Sequence, residues 1–219
     1  MIHLNRDITN LKKEILLLGS MVEEAINKAI VALVDRRPEL CEEVIDGDSI
    51  IDEKELKVED TCLKILALYQ PVASDLRYII AVLKVNSYLE RMGDLASNIA
   101  ERAHYLSTHE PMPIPEDFRR MAEVVRLMVR ESLDSLVNRD AKLARRIEDR
   151  DDEVDDIKDQ MFAEMIDKMI KDSTTVKRAL SFASISYQLE RIADMANNIA
   201  EDVVFMVDGE IIRLSLIHI

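Results

Sequence analysis

Acidic side chains recur at one-turn spacing in a long apolar stretch of the sequence, and this pattern has the clearest chemical potential. Glu90, Asp94, Asn98 and Glu101 follow one another at intervals of three or four residues. On a helix with 100° per residue, these side chains point within about 80° of one another. We therefore predict a ridge of oxygen ligands on one side of a helix, with the apolar side chains between them on the other.

The same stretch returns about 100 residues later. Residues 90–101 read ERMGDLASNIAE and residues 190–201 read ERIADMANNIAE, with identical residues at 8 of the 12 positions. Such self-similarity indicates an internal duplication. The second copy of the ridge consists of Glu190, Asp194, Asn198 and Glu201.

A second acidic pair is duplicated as well, since Asp48 and Asp52 correspond to Asp151 and Asp155 at an offset of 103 residues. Like charges one turn apart destabilise a helix by a few tenths of a kcal/mol per pair, so a bound cation would compensate them. Carboxylates from two adjacent helices can converge on a hard or borderline metal, and several per half allow a multinuclear cluster. The predicted ligands are Asp48, Asp52, Glu90, Asp94, Asp151, Asp155, Glu190 and Asp194, with Asn98, Glu101, Asn198 and Glu201 as secondary candidates; Glu55 and Glu59 share the face of Asp48 and Asp52.

A simpler interpretation of the ridges remains open. Acidic stripes on helices are commonly solvated surfaces, and Arg91 and Arg191 can neutralise part of each ridge. Asn98 and Asn198 can equally form hydrogen bonds across the groove between two helices. The residue pattern alone therefore does not decide between a metal site and a solvated face.

Nothing in the sequence indicates a catalytic site. The four histidines lie near the termini or the proline-rich segment and have no partner pattern, and no glycine-rich phosphate loop is present. Cys41 and Cys62 lack a CxxC spacing and are expected to be packing residues in a reducing compartment. We therefore predict a protein that is not an enzyme.

The elements that position the ridges are predicted from helix breakers. A helix cannot cross the proline-rich segment 108–115, which is the expected boundary between a first repeat, 1–107, and a second, 116–213. Ser74, Asp140 and Ser173 are expected N-caps, and Gly209 a stop. Amphipathic rods with short connections pack as antiparallel neighbours, so the fold class is all-α, with tandem duplicated three-helix bundles. The six predicted helices are Asn5–Asp35, Pro38–Gln70, Ser74–Leu106, Glu116–Asn138, Asp140–Asp172 and Thr174–Val207.

Charge and hydropathy restrict the classes of partner. The formal net charge of −14 argues against binding to nucleic acid and favours metal cations or basic protein surfaces. No apolar run reaches the roughly 18 residues of a membrane span, and the amino-terminal residues do not resemble a signal peptide. We expect a cytoplasmic protein without direct membrane insertion.

Several of these motifs together resemble the PhoU family of phosphate-transport regulators. Residues 70–77 read QPVASDLR and are similar to the family's stretch that opens the third helix. Residues 89–94 and 189–194, which read LERMGD and LERIAD, are similar to its paired E-x-x-x-D motifs. The resemblance extends from about Asn5 to Arg213, nearly the whole chain.

The resemblance implies a dimeric, duplicated three-helix bundle that holds multinuclear iron or zinc clusters on its surface, at the E-x-x-x-D and D-x-x-x-D residues predicted above. It also implies a negative regulator of phosphate uptake and of the phosphate-starvation response. Such proteins couple the Pst phosphate importer, through its ATPase subunit, to the PhoR sensor histidine kinase, at the inner face of the membrane. The alternatives are a metal-dependent phosphate-ester hydrolase and a metal-free helical adaptor of another transporter.

The sequence departs from the family's pattern in two places. Thr175 and Lys177 stand where the first half has Asp75 and Arg77, so the two halves are not expected to be equivalent. The apolar tail 214–219 replaces the family's usual ending and is expected to be anomalous.

Overall fold

The protein folds into helices throughout the part of the chain that the structure, a computed structural model, describes. Residues 2–209 are described, and they contain no β-strand. This confirms the predicted all-α class. The helices are α1 (Ile2–Val34), α2 (Pro38–Tyr69), α3 (Ala73–Thr108), α4 (Glu116–Asn138), α5 (Ala141–Glu148), α6 (Asp151–Lys171) and α7 (Val176–Asp208), with a single 3-10 turn at Ser173–Thr175.

The first three helices form a bundle in which each contacts the other two. Pro38 begins α2, where its fixed φ suits the first helical turn and no backbone N–H is required. Gln70 ends α2 in the left-handed conformation, with a φ of 46°. The expected N-cap Ser74 lies inside the first turn of α3 instead, since this helix begins at Ala73.

The second half repeats this arrangement, but the predicted fifth helix is interrupted. Asp140 caps α5 as predicted, since its carboxylate accepts hydrogen bonds of 3.0 Å from the N–H groups of Lys142 and Leu143. At Asp149 and Arg150 the chain tightens into a turn before α6 begins. The guanidinium of Arg150 pairs with Glu131, and this ion pair links the turn between α5 and α6 to α4.

The end of α6 also differs from the prediction. Asp172, not Ser173, supplies the cap of the 3-10 turn, because its Oδ1 accepts a hydrogen bond of 2.9 Å from the N–H of Thr174. Gly209 ends α7 with a φ of 77°, as expected of the stop. The anomalous tail 214–219 lies outside the described residues.

The connection between the halves, 109–115, is non-helical, and arginines from both halves hold its first residues. Arg36 donates hydrogen bonds to the carbonyl oxygens of Ser107 and His109 at 2.8 and 2.6 Å. The buried Arg178 of α7 donates to the carbonyl oxygen and the carboxylate of Glu110 at 3.1 and 2.6 Å. The assignment of 1–107 and 116–213 to two separate domains stays a prediction.

The two halves meet along α3 and α7, with a smaller contact between α1 and α4, and their buried side chains join in one apolar core. The apolar sides of both ridge helices face this core as predicted, with Met92 and Ile99 in α3 and Ile192 and Ile199 in α7 fully buried. The core fixes how α3 and α7 are rotated, and so turns their acidic sides away from it.

Cys41 and Cys62 are buried among apolar side chains, which confirms their expected packing role. Burial raises the pKa of the Cys41 thiol to about 11 and that of Cys62 to about 12. Both thiols therefore stay protonated at neutral pH. Because only a thiolate binds a metal ion, we do not expect either cysteine to be a metal ligand.

Candidate metal centre

The first acidic cluster forms where α2 and α3 pack side by side. Asp48 and Asp52 project from consecutive turns of α2, and Asp94 projects from α3 opposite them. One carboxylate oxygen from each of the three lies within 4.8 Å of the other two. Among the residues that the structure describes, these three are the only group of acidic, histidine or cysteine side chains brought together in this way.

A glycine allows the two helices to approach at this point. A Cβ placed on Gly93 would lie 3.1 Å from Cγ2 of Ile51 and 3.5 Å from Oδ1 of Asp48. The first distance is shorter than most van der Waals contacts, so a larger residue would displace the Ile51 side chain of α2. The second half has Ala193 at the corresponding position.

The carboxylates of the first cluster repel one another. Burial raises the pKa of Asp48, and the charges of Asp94 and Asp52 raise it further. Burial, followed by the charge of Asp52, likewise raises the pKa of Asp94. A cation between the three side chains would relieve this repulsion.

Glu90 lies one turn before Asp94 on α3 and is half-buried. Its pKa is raised by burial and then by the charges of Asp94, Asp52 and Glu55. Glu90 is therefore close enough to the cluster to be repelled by its carboxylates. It is not part of the three-carboxylate group.

The secondary candidates of the first half lie further along α3. Asn98 does not reach across the groove, because its amide nitrogen donates a 2.8 Å hydrogen bond to the backbone oxygen of Asp94 in its own helix. Glu101 is exposed and lies outside the three-carboxylate group. The metal-binding role of both residues stays a prediction.

Glu55 shares the face of α2 with Asp48 and Asp52 but is held elsewhere. The side-chain amide of the buried Asn86 donates to the carboxylate of Glu55 at 2.7 Å and to its backbone oxygen at 3.1 Å. This bond fixes Glu55 beside the cluster and leaves its negative charge in place.

The second acidic cluster brings α6 and α7 together in the corresponding place, but it contains a cation of its own. Nζ of Lys158 donates hydrogen bonds to Oδ1 of Asp155 at 3.0 Å and to Oε1 of Glu190 at 3.3 Å. It also lies 3.6 Å from Oδ1 of Asp159. Lys158 therefore bridges α6 and α7 by contacting Asp155 and Glu190, two of the predicted metal ligands.

The remaining carboxylates of this cluster are less well compensated. Burial and the charges of Asp194 and Asp155 raise the pKa of Asp151 to about 6. Burial and the charge of Asp155 raise the pKa of Asp194, whereas the ammonium of Lys158 acts in the opposite direction. The hydrogen bond to Asp155 raises the pKa of Lys158 itself, so this lysine stays charged throughout the neutral range.

Lys158 was missed by reasoning on the sequence, although a signal was present. The offset of 103 residues that relates Asp48 to Asp151 also relates Glu55 to Lys158. Asn197, which replaces Ser97, was missed as well; its amide nitrogen lies 3.5 Å from Oδ2 of Asp151. Asn198 and Glu201 lie half-buried one and two turns beyond Asp194.

The donor chemistry of the first cluster fits a hard cation. Its three converging side chains offer carboxylate oxygens, which suit magnesium, calcium and manganese and are also used by carboxylate-bridged iron proteins. Zinc sites are usually built with sulfur or nitrogen ligands, so iron fits this donor set better than zinc does. Asp48, Asp52 and Asp94 would hold the ion, with Glu90 next to it.

Comparison with known proteins assigns the chain to a family. The PhoU domain model matches residues 15–103 and 118–203, one match in each half. A phosphate-specific transport system accessory protein PhoU homolog from Aquifex aeolicus is 39% identical over 208 residues, covering 95% of this chain and 94% of the relative.

Solved structures agree with the sequence relatives. The crystal structure of PhoU from Pseudomonas aeruginosa superimposes with a TM-score of 0.91 at 35% identity, covering 94% of this chain and 99% of that one. The crystal structure of the phosphate transport system regulatory protein PhoU from Streptococcus pneumoniae gives a TM-score of 0.88 at 30% identity, covering 95% and 98%. The chain is a member of the PhoU family.

Proposed function

We propose that this protein is an accessory regulator of a phosphate-specific transport system and that it represses phosphate uptake and the phosphate-starvation response when phosphate is abundant. The observation that carries this proposal is the match to PhoU proteins along nearly the whole chain, including 95% of its length against the Aquifex aeolicus relative. Because the match includes both halves, the regulatory unit is the complete tandem repeat.

The regulator acts by docking. Its net charge of −14 and its two outward acidic ridges suit basic surfaces on partner proteins. The proposed partners are the ATPase subunit of the phosphate importer and a PhoR-type sensor histidine kinase. Through these partners the protein is placed at the inner face of the membrane. None of the helices in residues 2–209 qualifies as a membrane span.

Deletion of the gene tests the regulatory role. Loss of a repressor should raise alkaline phosphatase activity during growth in abundant phosphate, and expression of the wild-type chain should restore repression. Unchanged alkaline phosphatase in the deletion strain would contradict the proposal.

Affinity capture tests the partners. The tagged chain should retain the importer's ATPase subunit and the sensor kinase from membranes solubilised in mild detergent. A variant with Glu90→Gln and Asp94→Asn should retain less if the first ridge contributes to docking. Retention of neither partner by the wild-type chain would contradict docking as the mechanism.

The metal at the first cluster serves as an electrostatic modulator of that docking surface. A cation held by Asp48, Asp52 and Asp94 would neutralise much of the local negative charge that a basic partner meets. Elemental analysis after purification without chelator should find a transition metal, iron before zinc. An Asp48→Asn, Asp52→Asn variant should lose it.

Self-association into a homodimer is part of the proposal. Phe162, Ile166 and Ile170 lie at four-residue spacing on the outer side of α6, and all three are exposed. A stripe of this kind on a soluble surface is usually covered by a partner. Light scattering should give a dimer for the wild type and a monomer for Phe162→Glu, Ile166→Glu; a wild-type monomer would contradict the dimer.

A metal-dependent phosphate-ester hydrolase is the second candidate, and the three-carboxylate group is the observation that favours it. Hydrolysis of a generic phosphate ester in the presence of Mn²⁺, abolished by Asp94→Ala, would support it. Absence of turnover in the metal-loaded protein leaves the regulator without a catalytic step, as proposed.

A further inference from the structure

The two acidic clusters carry opposite charges at one matching position. Glu55 on α2 and Lys158 on α6 occupy equivalent places relative to the aspartate pairs of their helices. Glu55 is tied to Asn86, whereas the second half has Ser186 in place of Asn86. The oxygen of Ser186 donates to the carbonyl of Ala183 in its own helix, so it does not reach Lys158.

Lys158 is placed as a resident ion would be. Its side chain is 23% exposed, that of Glu190 is 16% exposed, and the two lie 3.3 Å apart across the groove between α6 and α7. The ammonium also contacts two carboxylates of its own helix, Asp155 and Asp159. It therefore links α6 and α7 through Asp155 and Glu190, two of the predicted metal ligands of the second half.

We propose that Lys158 is the built-in cation of the second cluster and keeps metal ions out of it, so that this chain binds metal at the first cluster alone. The inference rests on the proposed metal role of Asp48, Asp52 and Asp94.

The physical reason is competition for the same oxygens. A divalent ion entering the second cluster would lie next to the ammonium and be repelled by it. To avoid this, Lys158 must swing away and give up its contacts with Asp155, Glu190 and Asp159. In the first cluster no such displacement is needed, because Glu55 adds a negative charge where the second cluster has a positive one.

The test measures Mn²⁺ bound per chain, by equilibrium dialysis and elemental analysis, in purified full-length variants. Asp94→Asn should remove most of the Mn²⁺ from the wild-type chain, whereas Asp194→Asn should leave it unchanged. Lys158→Ala should raise the Mn²⁺ content about twofold by opening a second oxygen-donor site. Adding Asp194→Asn to Lys158→Ala should remove the gain.

Two further variants keep the result interpretable. Lys168→Ala removes another lysine of α6, one that pairs with Glu164 at 2.7 Å, and should not change the Mn²⁺ content. Lys158→Gln keeps a polar side chain, one bond shorter and without the charge, and should also gain Mn²⁺. Circular dichroism melts confirm that each variant is folded.

Two results would overturn the inference: loss of Mn²⁺ from the wild type on Asp194→Asn, or no gain in folded Lys158→Ala and Lys158→Gln. Failure of the proposed function gives a different pattern. If Asp94→Asn leaves the wild-type Mn²⁺ content unchanged, the first cluster is not a metal site, and a gain on Lys158→Ala then shows exclusion at the second cluster alone.

Discussion

The two halves of this protein use nearly the same helix sequence to build two different acidic surfaces. In the first half, one carboxylate oxygen from each of Asp48, Asp52 and Asp94 lies within 4.8 Å of the others, and no lysine or arginine among residues 2–209 forms an ion pair with them. In the second half, Lys158 bridges Asp155 and Glu190 at 3.0 and 3.3 Å. The carboxylates are present in both halves, but a lysine neutralises part of their negative charge only in the second half.

The difference shows how little is needed to change the chemistry of a duplicated site. Three of the differences between the clusters change charge or side-chain size while the repeated acidic residues stay in place. The corresponding pairs, first half before second, are Glu55 and Lys158, Glu59 and Phe162, and Gly93 and Ala193.

The largest effect expected from this comparison concerns matched ridge residues. Asp94→Asn should weaken Mn²⁺ binding by about 100-fold or more, because one of three carboxylate ligands loses its charge. Asp194→Asn, its counterpart, should change the affinity by less than about threefold. Calorimetric titration of both variants measures the difference, and equal losses would show that the clusters are equivalent.

The charge also differs in sign at a second pair of matching positions, since Asp202 of α7 corresponds to Arg102 of α3. The Asp202 side chain is 7% exposed and pairs with Nζ of Lys84, from the other half, at 2.7 Å. Lys84→Ala leaves this carboxylate buried and unpaired and should lower the free energy of unfolding by about 2 kcal/mol, less than for a fully buried pair because Lys84 is itself half-exposed.

Chemical denaturation measures this loss, and Lys64→Ala is its matched control. Lys64 pairs with Asp60 on an exposed helix surface, so its removal should cost less than about 0.5 kcal/mol. If both variants lose the same stability, the pair between the halves contributes no more than a surface pair.

The Gly93 and Ala193 positions allow a smaller test. Gly93→Ala adds a Cβ 3.1 Å from Ile51 and should separate α2 from α3 slightly, weakening Mn²⁺ binding by about tenfold. The intrinsic preference of alanine for a helix, about 0.5–1 kcal/mol, should offset most of the strain, so that stability changes little.

Ala193→Gly should give the reverse result. The variant loses the helix preference of alanine and should be destabilised by about 0.5–1 kcal/mol without a change in Mn²⁺ binding. Thermal melts and calorimetric titrations on the two variants separate packing from metal binding. A loss of metal affinity on Ala193→Gly would contradict the comparison.

The smallest expected effect is on pH dependence. In the folded, metal-free protein the pKa of Asp151 is raised from its ordinary 3.8 to about 6, so the folded state binds this proton more tightly than the unfolded state does. The contribution of Asp151 to stability is therefore favourable below pH 3.8 and is lost as the pH rises through about 6. Asp151→Asn should raise the melting temperature at pH 7.5 by about one to three degrees and leave it nearly unchanged at pH 4.

Melts in the presence of a chelator at both pH values check this prediction. Asp156→Asn, which removes an exposed carboxylate from the same helix, is the control and should show no such change with pH. A stabilisation by Asp151→Asn that is equal at pH 4 and pH 7.5 would contradict the assigned cause.

The periodicity of the sequence was sufficient to predict the helices and the side of each helix on which the acidic residues lie. The spacing of Met92, Ile99 and their counterparts determines which side of each helix is buried. It did not predict the break at Asp149 and Arg150, since no glycine or proline marks that position. The pairing of Arg150 with Glu131 depends on how α4 packs in three dimensions.

The candidate site was predicted as two sets of ligands at matching positions, and the structure shows that their surroundings differ. The positions of Asp48, Asp52 and Asp94 follow from the helix repeat, but the role of Lys158 depends on the groove between α6 and α7. The sequence of α7 alone does not predict the contact between Lys158 and Glu190, because Lys158 lies on α6.

The most direct test of the difference between the clusters is anomalous diffraction from crystals of the wild-type protein grown with Mn²⁺. The prediction is a strong peak between Asp48, Asp52 and Asp94, and no peak beside Lys158, whose ammonium stays in contact with Asp155 and Glu190. Peaks of equal height at both clusters, with Lys158 turned away, would contradict it.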